Sequence, residues 1–309
     1  MNDEQPQKPE SRIKKFLSTR RGRSIAVVVI LVVALGGASQ QVYSRPVDDG
    51  FVRTIAQVFP FPALSVNGDT VSMKEFLAEY DALKKYFEGQ EGSTPPADQL
   101  EIAIADTLVN KMVIRQFATA RGLEIDTQRV EKYYQDVLAS QESEEAFVQD
   151  LTDTFGWTVE EFKSRVIESI VLALQMSEAI LADKALQQSR QDTIDAAYAR
   201  VAGGEDFATV AKEINAGFDA GLEVDLGYIK LSIIPESWSA AVEVLEIGNT
   251  TDVLDLPEGY AVFKAKDRIV AAEDTQIHLL SITVPKVTLE EIVKEYLETA
   301  KVKRYVGES

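Results

Sequence analysis

An apolar run near the N-terminus is the feature that most constrains what this chain can fold into. Ser24–Ala38 reads SIAVVVILVVALGGA, carries no charge and directly follows a basic segment. Extended through Tyr43, the run reaches about 20 residues, which is the length that a helix needs to cross a bilayer. Valine and isoleucine dominate it without amphipathic periodicity, which argues against a buried core helix. The sequence therefore predicts a transmembrane anchor over residues 24–43.

A cleavable signal peptide is the alternative for this segment, because Gly36-Gly37-Ala38 has the small residues of a cleavage site. The preceding basic segment is long for a signal peptide, however. Residues 1–23 carry seven Lys/Arg against three acids. Such an excess of basic residues favours a cytoplasmic position for this N-terminal segment. We expect a cytoplasmic tail over 1–23, an uncleaved single-pass anchor in the cytoplasmic membrane and an extracytoplasmic body.

The composition excludes several kinds of active site. The chain has no cysteine, which rules out disulfides, a thiol nucleophile and thiolate metal ligands. His278 is the only histidine, so a transition-metal site would need mostly carboxylate ligands. There is no G-x-S-x-G motif for a serine hydrolase. We expect no cofactor and no metal.

The charge of the chain is strongly acidic and unevenly distributed. The net formal charge is −18, and residues 1–23 carry +4, which leaves −22 for residues 24–309. Phosphate contacts need basic patches. The sequence therefore predicts no nucleic-acid partner.

A linker over residues 44–62 leads into a segment with helical periodicity. Asn67-Gly68 between two short β-type runs predicts a tight hairpin. Ser72, with Glu75 three residues later, predicts a helix start with a capping box. Apolar spacing predicts further helices, including one long helix from Val159 to about residue 190.

The order of these motifs resembles the N-terminal domain of the SurA/PrsA-type extracytoplasmic foldases. The matching stretches are Val66-Asn67-Gly68, Ala118–Ile125 and Trp157–Phe162. This resemblance implies a mostly helical chaperone domain over residues 63–190.

The segment after Asp192 resembles the parvulin peptidyl-prolyl isomerases. The stretches that follow the order of that family's motifs are Gly204–Ala211, Asp225–Tyr228, Ile233–Trp238 and Gly259–Lys264. The resemblance implies a small parvulin-like α+β domain with a four-stranded sheet over residues 191–285. The predicted fold class is thus α+β, with an N-terminal transmembrane helix, a mostly helical chaperone domain and a small parvulin-like domain.

One parvulin motif stands in a different place. The family begins with a strand that carries H-I-L, and its counterpart here, His278-Leu279-Leu280, follows the last strand instead. We interpret this order as a circular permutation, in which Thr275–Thr283 pairs with Gly259–Lys266 in the middle of the sheet and His278 points into the site. An additional strand with an incidental histidine is the alternative.

The parvulin resemblance also implies site residues. Ile233 and Trp238 stand where the family has the Met and Phe of its proline pocket. Asp225 and Tyr228 are further candidates for contact with the substrate, and His278 is the candidate catalytic residue.

The polar half of the parvulin site is reduced. The family's second histidine corresponds to Ala261, and its Asp or Cys falls at Gly217. We therefore predict a chaperone that binds unfolded secreted or envelope proteins through the helical domain and a degenerate parvulin-like domain. The alternatives are an active prolyl isomerase that acts on proline-containing polypeptides, and an envelope scaffold without clients.

The last segment, residues 286–309, is predicted to return to the helical domain. Thr288–Thr299 has a narrow apolar stripe at helical spacing, and such a helix needs a surface to cover. The alternation over Val302–Val306 suits a short strand beside Leu64–Val66.

Overall fold

The computed structural model describes residue 37 and residues 39–90, 94–218, 221–270 and 274–307. These residues form two compact units. The first contains the described residues up to Thr119, Ile125–Ser169 and the residues from Leu297 onward. The second contains Ala120–Glu124 and Ile170–Tyr296. Neither unit is one continuous stretch, and the predicted domain limits stay predictions.

The predicted transmembrane helix is the part of the fold class that the structure corrects. Most of residues 24–43 lie outside the described residues. Among the described residues, no helix is long and apolar enough to cross a membrane. The described end of the segment packs within the first unit, where Val42 is 1% exposed and the Tyr43 hydroxyl donates to the Pro62 carbonyl at 2.8 Å. The fold class is therefore mixed helix and sheet with two small antiparallel sheets.

The first unit is built mainly from helices. They are α1 (Gly50–Val58), α2 (Met73–Glu88), α3 (Ala97–Ala120), α4 (Thr127–Ala139), α5 (Glu144–Thr154) and α6 (Val159–Phe162), followed by a π-helical turn (Lys163–Ile167) and the start of α7 (Glu168–Ala182). The first turn of a helix leaves amide donors without partners inside the helix. Side chains of Asp49, Ser72, Asp126 and Ser143 accept hydrogen bonds from such amides, which fixes where four of these helices begin.

A three-stranded antiparallel sheet joins distant parts of the first unit. Its central strand β1 (Pro62–Val66) lies between β2 (Asp69–Ser72) and β7 (Val302–Arg304). The β1–β2 hairpin turns at Asn67-Gly68, where both residues have positive φ, as the dipeptide predicted. The C-terminal strand forms where the alternation placed it, with Val302 opposite Val66.

The second unit combines helices with a four-stranded sheet. Its helices are the rest of α7, then α8 (Lys184–Ala202), α9 (Phe207–Asn215), α10 (Glu236–Glu243) and α11 (Leu289–Thr299), of which this unit includes the residues up to Tyr296. A 3₁₀ turn lies at Leu231–Ile233. The strands are β3 (Asp225–Lys230), β4 (Leu254–Asp255), β5 (Gly259–Val270) and β6 (Thr275–Pro285). They are antiparallel in the order β3-β6-β5-β4. The strand predicted at 275–283 therefore lies inside the sheet, between β3 and β5.

The long helix predicted from Val159 to about residue 190 is interrupted twice, which corrects that prediction. The first interruption is the π-helical turn Lys163–Ile167. The second is at Asp183, whose side chain accepts hydrogen bonds from the Ala185 and Leu186 amides. Asp183 has an extended backbone and acts as the N-cap of α8, so it ends one helix and begins the next.

The sheet of the second unit separates two apolar cores, because successive side chains of a strand point to opposite faces. On one face, Val262 of β5 and Ile282 of β6 pack with Ile194 of α8 and Phe207 of α9. On the other face, the strand residues whose side chains point the opposite way pack with α10 and the segment before it. These strand residues are Ala261, Phe263, Ala265, Ile277 and Leu279.

The last described residues close on α3 in the first unit. Gly307 is buried, and its φ of +65° lies in the left-handed region. A Cβ at this position would lie 2.5 Å from the Glu101 carbonyl oxygen. The Arg304 guanidinium adds an ion pair with Asp106 at 2.6 Å.

We predict that Gly307→Ala destabilises the first unit by about 2 kcal/mol or more, because it adds both left-handed strain and a backbone clash. Urea unfolding followed by fluorescence measures the effect. Gly68→Ala is the control in the same unit: it has positive φ but open space around the new methyl group, so it should cost only about 1 kcal/mol. An equal loss of unfolding free energy in the two variants would show that the close contact at Gly307 contributes nothing to the destabilisation.

The Glu101 carboxyl gives a second prediction. Burial raises its pKa, nearby Asp48 and Asp98 add to the rise, and the Gly307 amide opposes it. The folded state therefore binds the proton more tightly than the unfolded chain, so this group adds stability as the pH falls from neutral through its folded pKa. We predict that Glu101→Gln raises the melting temperature at pH 7 and reduces the gain in stability on acidification.

Differential scanning calorimetry between pH 4 and 7.5 tests the Glu101 prediction. Glu142→Gln, at an exposed position of the same unit, is the matched control and should leave the pH profile of the wild type unchanged. A lower melting temperature for Glu101→Gln at pH 7 would contradict the prediction.

Candidate functional site

The residues predicted for a parvulin-like site lie on two faces of the four-stranded sheet. Trp238 stacks on Phe263 with ring centroids 4.5 Å apart, on the face covered by α10. Ile277 and Leu279, the neighbours of His278 in β6, pack on that same face. Successive side chains of a strand point to opposite faces, so the His278 side chain points away from Trp238. The prediction that His278 points toward Trp238 and Ile233 is therefore wrong, although its strand lies where it was predicted.

Ile233 does not form a pocket wall either. It ends the 3₁₀ turn after β3 and is 69% exposed. A proline pocket needs apolar walls that exclude water around the twisted amide. Exposed Ile233 and half-buried Trp238 do not enclose such a space together with His278.

His278 instead joins Asp225 and Tyr228, the remaining two predicted residues. Its Nε2 atom lies 2.6 Å from Oδ1 of Asp225, and its ring lies 4.8 Å from the Tyr228 ring. The Tyr228 hydroxyl donates a hydrogen bond to Asp267 on β5. The hydrogen bond with His278 and the Gly227 amide lower the pKa of Asp225.

This cluster ties the edge strand β3 to its neighbour β6. Tyr228 and His278 are direct partners in the strand pairing, and the Lys266 ammonium lies 3.5 Å from Asp225. Within the described ranges, no group of three or more acidic or histidine side chains is placed to hold a metal ion. The arrangement links the edge strand β3 to β6 through side chains, and the histidine already has a carboxylate as its hydrogen-bond partner.

A second candidate site is an apolar cleft in the first unit, between α2 and α3. It has a volume of about 180 Å³. Its lining combines one face of each helix with two aromatic residues from the segment after α5. The lining residues are Glu79, Ala82, Leu83, Ala103, Ile104, Thr107, Leu108, Phe155 and Trp157.

Small side chains at facing positions of the two helices explain why this cleft is open. Ala82 of α2 and Ala103 of α3 leave space that a larger side chain would fill. Ile104 and Leu108, one turn apart on α3, are buried and form the apolar floor. Ala103 and Thr107 are exposed, so the cleft is accessible from solvent.

Three stacked aromatic rings border the cleft on one side, and two of them, Phe155 and Trp157, line it. Tyr86 stacks on Phe155 at 5.5 Å with an interplanar angle of 2°, and Phe155 stacks on Trp157 at 4.8 Å. Gly156 between them has a φ of +74°, a conformation that glycine adopts without strain. The Lys85 ammonium donates to the Thr152 carbonyl in the last turn of α5. This contact holds the end of α5, and hence the aromatic wall, against α2.

One ion pair lies at the polar rim of the cleft. The Glu79 carboxylate lies 2.9 Å from the Arg165 guanidinium, which also lies 3.5 Å from Glu161 and 5.8 Å from the Trp157 ring. The Arg165 carbonyl, in the π-helical turn, accepts a hydrogen bond from Lys111 at 2.9 Å. The turn thus fixes Arg165 beside the aromatic wall.

None of the cleft residues was among the predicted site residues. The sequence stretch Phe155-Gly156-Trp157 was the available signal, because two aromatic residues around a glycine follow an acidic helix. Trp157 itself was assigned only to a family motif. The facing alanines carried no signal, since alanine is also an ordinary helix residue.

Comparisons with known proteins agree with the motif resemblance. No protein-family model matches the chain. Two curated relatives are both named Chaperone SurA: one from Chromobacterium violaceum, 20% identical over 240 residues, and one from Thiobacillus denitrificans, 19% identical over 242 residues. Each match covers 66% of this chain. The chain spans only 56% and 55% of the lengths of these relatives.

A search of solved structures gave the foldase protein PrsA from Lactococcus lactis. The match has 15% sequence identity and covers 77% of this chain and 82% of that protein. Its TM-score of 0.24 is too low to support an argument about the fold. The sequence similarity to the two curated chaperones and the order of motifs lead to one conclusion: this chain resembles the SurA/PrsA-type foldases.

Proposed function

We propose that the protein is a chaperone that binds apolar side chains of unfolded polypeptides in the cleft between α2 and α3. The observation that carries the proposal is the open apolar cleft with its wall of three stacked aromatic rings. Such a surface exposes Trp157 and Phe155 to a ligand without requiring the unit to rearrange. The similarity to two proteins named Chaperone SurA supports the same function.

The size of the cleft suits a weak and reversible interaction. Burying one large apolar side chain contributes about 1.5–3 kcal/mol, and aromatic contacts add about 0.5–1.5 kcal/mol. One such contact holds a client only transiently, so release needs no energy source. A client with several apolar segments would be bound and released repeatedly, which is what prevention of aggregation requires.

Chaperone activity fits the geometry better than prolyl isomerisation does. The predicted catalytic residue, His278, and the predicted pocket residue, Trp238, point to opposite faces of the sheet. His278 also has Asp225 as a hydrogen-bond partner. The extracytoplasmic location of the protein stays a prediction from the N-terminal sequence.

The cleft is tested by replacing one of its two lining rings. We predict that Trp157→Ala weakens binding of an unfolded, permanently reduced model protein at least about tenfold, since aromatic anchors at binding sites contribute about 2 kcal/mol or more. Fluorescence anisotropy measures the affinity, and light scattering of a heat-aggregating client measures chaperone activity.

The matched control for Trp157 is Tyr133→Ala, which removes an exposed aromatic ring of the same unit that does not line the cleft. It should bind and protect the client as the wild type does. Both variants should retain their cooperative melting. Undiminished client binding by a folded Trp157→Ala variant would rule out the cleft as the binding site.

The isomerase alternative gives a separate prediction. Uncatalysed X-Pro isomerisation takes tens to hundreds of seconds, and we predict that the protein does not accelerate it for a proline-containing peptide. His278→Gln, which keeps a donor toward Asp225, should leave both this rate and client protection unchanged. Acceleration by the wild type that is lost in His278→Gln would establish the isomerase instead.

A further inference from the structure

The charge around the cleft indicates which clients it accepts. The helices α2, α3 and α5, which frame it and carry its aromatic wall, contain eleven acidic and five basic residues. The surplus is greatest on α5, which has four acids and no Lys or Arg. A ligand in the cleft therefore experiences a negative potential from its framing helices.

The charged groups at the rim leave this surplus unchanged. Arg165 lies 5.8 Å from the Trp157 ring, and it is shared between two carboxylates, those of Glu79 and Glu161. Of these residues, only Glu79 lines the cleft itself. Glu79 is already counted with α2, and the charges of Arg165 and Glu161 offset each other.

The two nearby lysines are held by carbonyl groups. The Lys85 ammonium donates to the Thr152 carbonyl, and the Lys111 ammonium donates to the Arg165 carbonyl. Both are counted among the five basic residues. Their ammonium groups are held by these hydrogen bonds, so neither lysine is positioned to form an ion pair with an acidic client.

We infer that the cleft selects cationic client segments, in which Lys or Arg flanks the apolar side chain that enters the cleft. The inference rests on the proposed function, and it specifies which polypeptides the site prefers. Charge complementarity of this kind acts mainly on partner choice and association rate. It also suits the acidic body, since residues 24–309 carry a net charge of −22.

Three labelled peptides test the inference on the full chain. They share one central phenylalanine, flanked by Lys, by Ser or by Glu. We expect affinity in the order Lys, Ser, Glu, with steps of about 2–5-fold, as exposed ion pairs contribute about 0.2–1 kcal/mol each. The preference should shrink between 20 mM and 500 mM salt because screening shortens the range of the field.

Two variants of the rim ion pair should shift the preference in opposite directions. Glu79→Gln removes the acid that lines the cleft and should reduce the Lys-over-Glu ratio about 2–5-fold. Arg165→Gln removes the cation and should increase that ratio. Glu75→Gln, one turn earlier on α2 and outside the cleft lining, should reduce that ratio less than Glu79→Gln does.

The outcomes separate this inference from the proposed function. Binding that depends on Trp157 but is equal for all three peptides would overturn the client preference and leave the chaperone function standing. Peptide binding that is insensitive to Trp157→Ala would overturn the function itself. Because the salt series uses only the wild-type protein, the inference stays testable even if one rim variant fails to fold.

Discussion

The antiparallel pairing of β5 with β6 is the interaction on which the second unit depends. The two strands pair along almost their full length, from Gly259 opposite Pro285 to Val270 opposite Thr275. Each strand sends alternate side chains into two separate cores. A shift of one residue would exchange the faces of a strand, so the register decides what packs under α8 and α9 and what packs under α10. The same register decides that His278 faces Asp225 and Tyr228 of β3 and not the ring of Trp238.

The cleft in the first unit follows from a different constraint, the absence of side-chain volume where two helices face each other. Helix packing normally interdigitates large side chains, and cavities are destabilising because their walls lose contacts. Ala82 and Ala103 leave such a space open to solvent, and the Tyr86–Phe155–Trp157 stack stiffens its wall. Such an open cleft costs the unit some stability and leaves a preformed apolar surface accessible to solvent.

Local sequence signals predicted the parts of the structure that local chemistry determines. Asn67-Gly68 forms a turn because both residues tolerate positive φ, and Ser72 accepts a hydrogen bond from the Glu75 amide at a helix start, as its position predicted. The strand at 302–304 and the central position of β6 followed from alternation and a motif resemblance.

Features that depend on tertiary contacts could not be read from the sequence. The face of His278 depends on pairing register, which is shifted by a bulge between Ala265 and Asp267. Asp183 reads as an ordinary polar residue of one long helix, and only the structure shows it as a cap between two. The apolar run before Tyr43 predicted a membrane helix by length, yet the described end of the segment is held by Pro62 and by stacking on Tyr305.

The position of β7 in the chain has a consequence for synthesis on the ribosome. Domains usually fold from the N-terminal end as the chain emerges. Here the central strand β1 receives its second neighbour from Val302–Arg304, after every residue of the second unit has been made. The second unit can therefore close first, while the sheet of the first unit keeps one open edge until Val302–Arg304 has been made. Until then, the unpaired edge of β1 is open to pairing with strands of other chains.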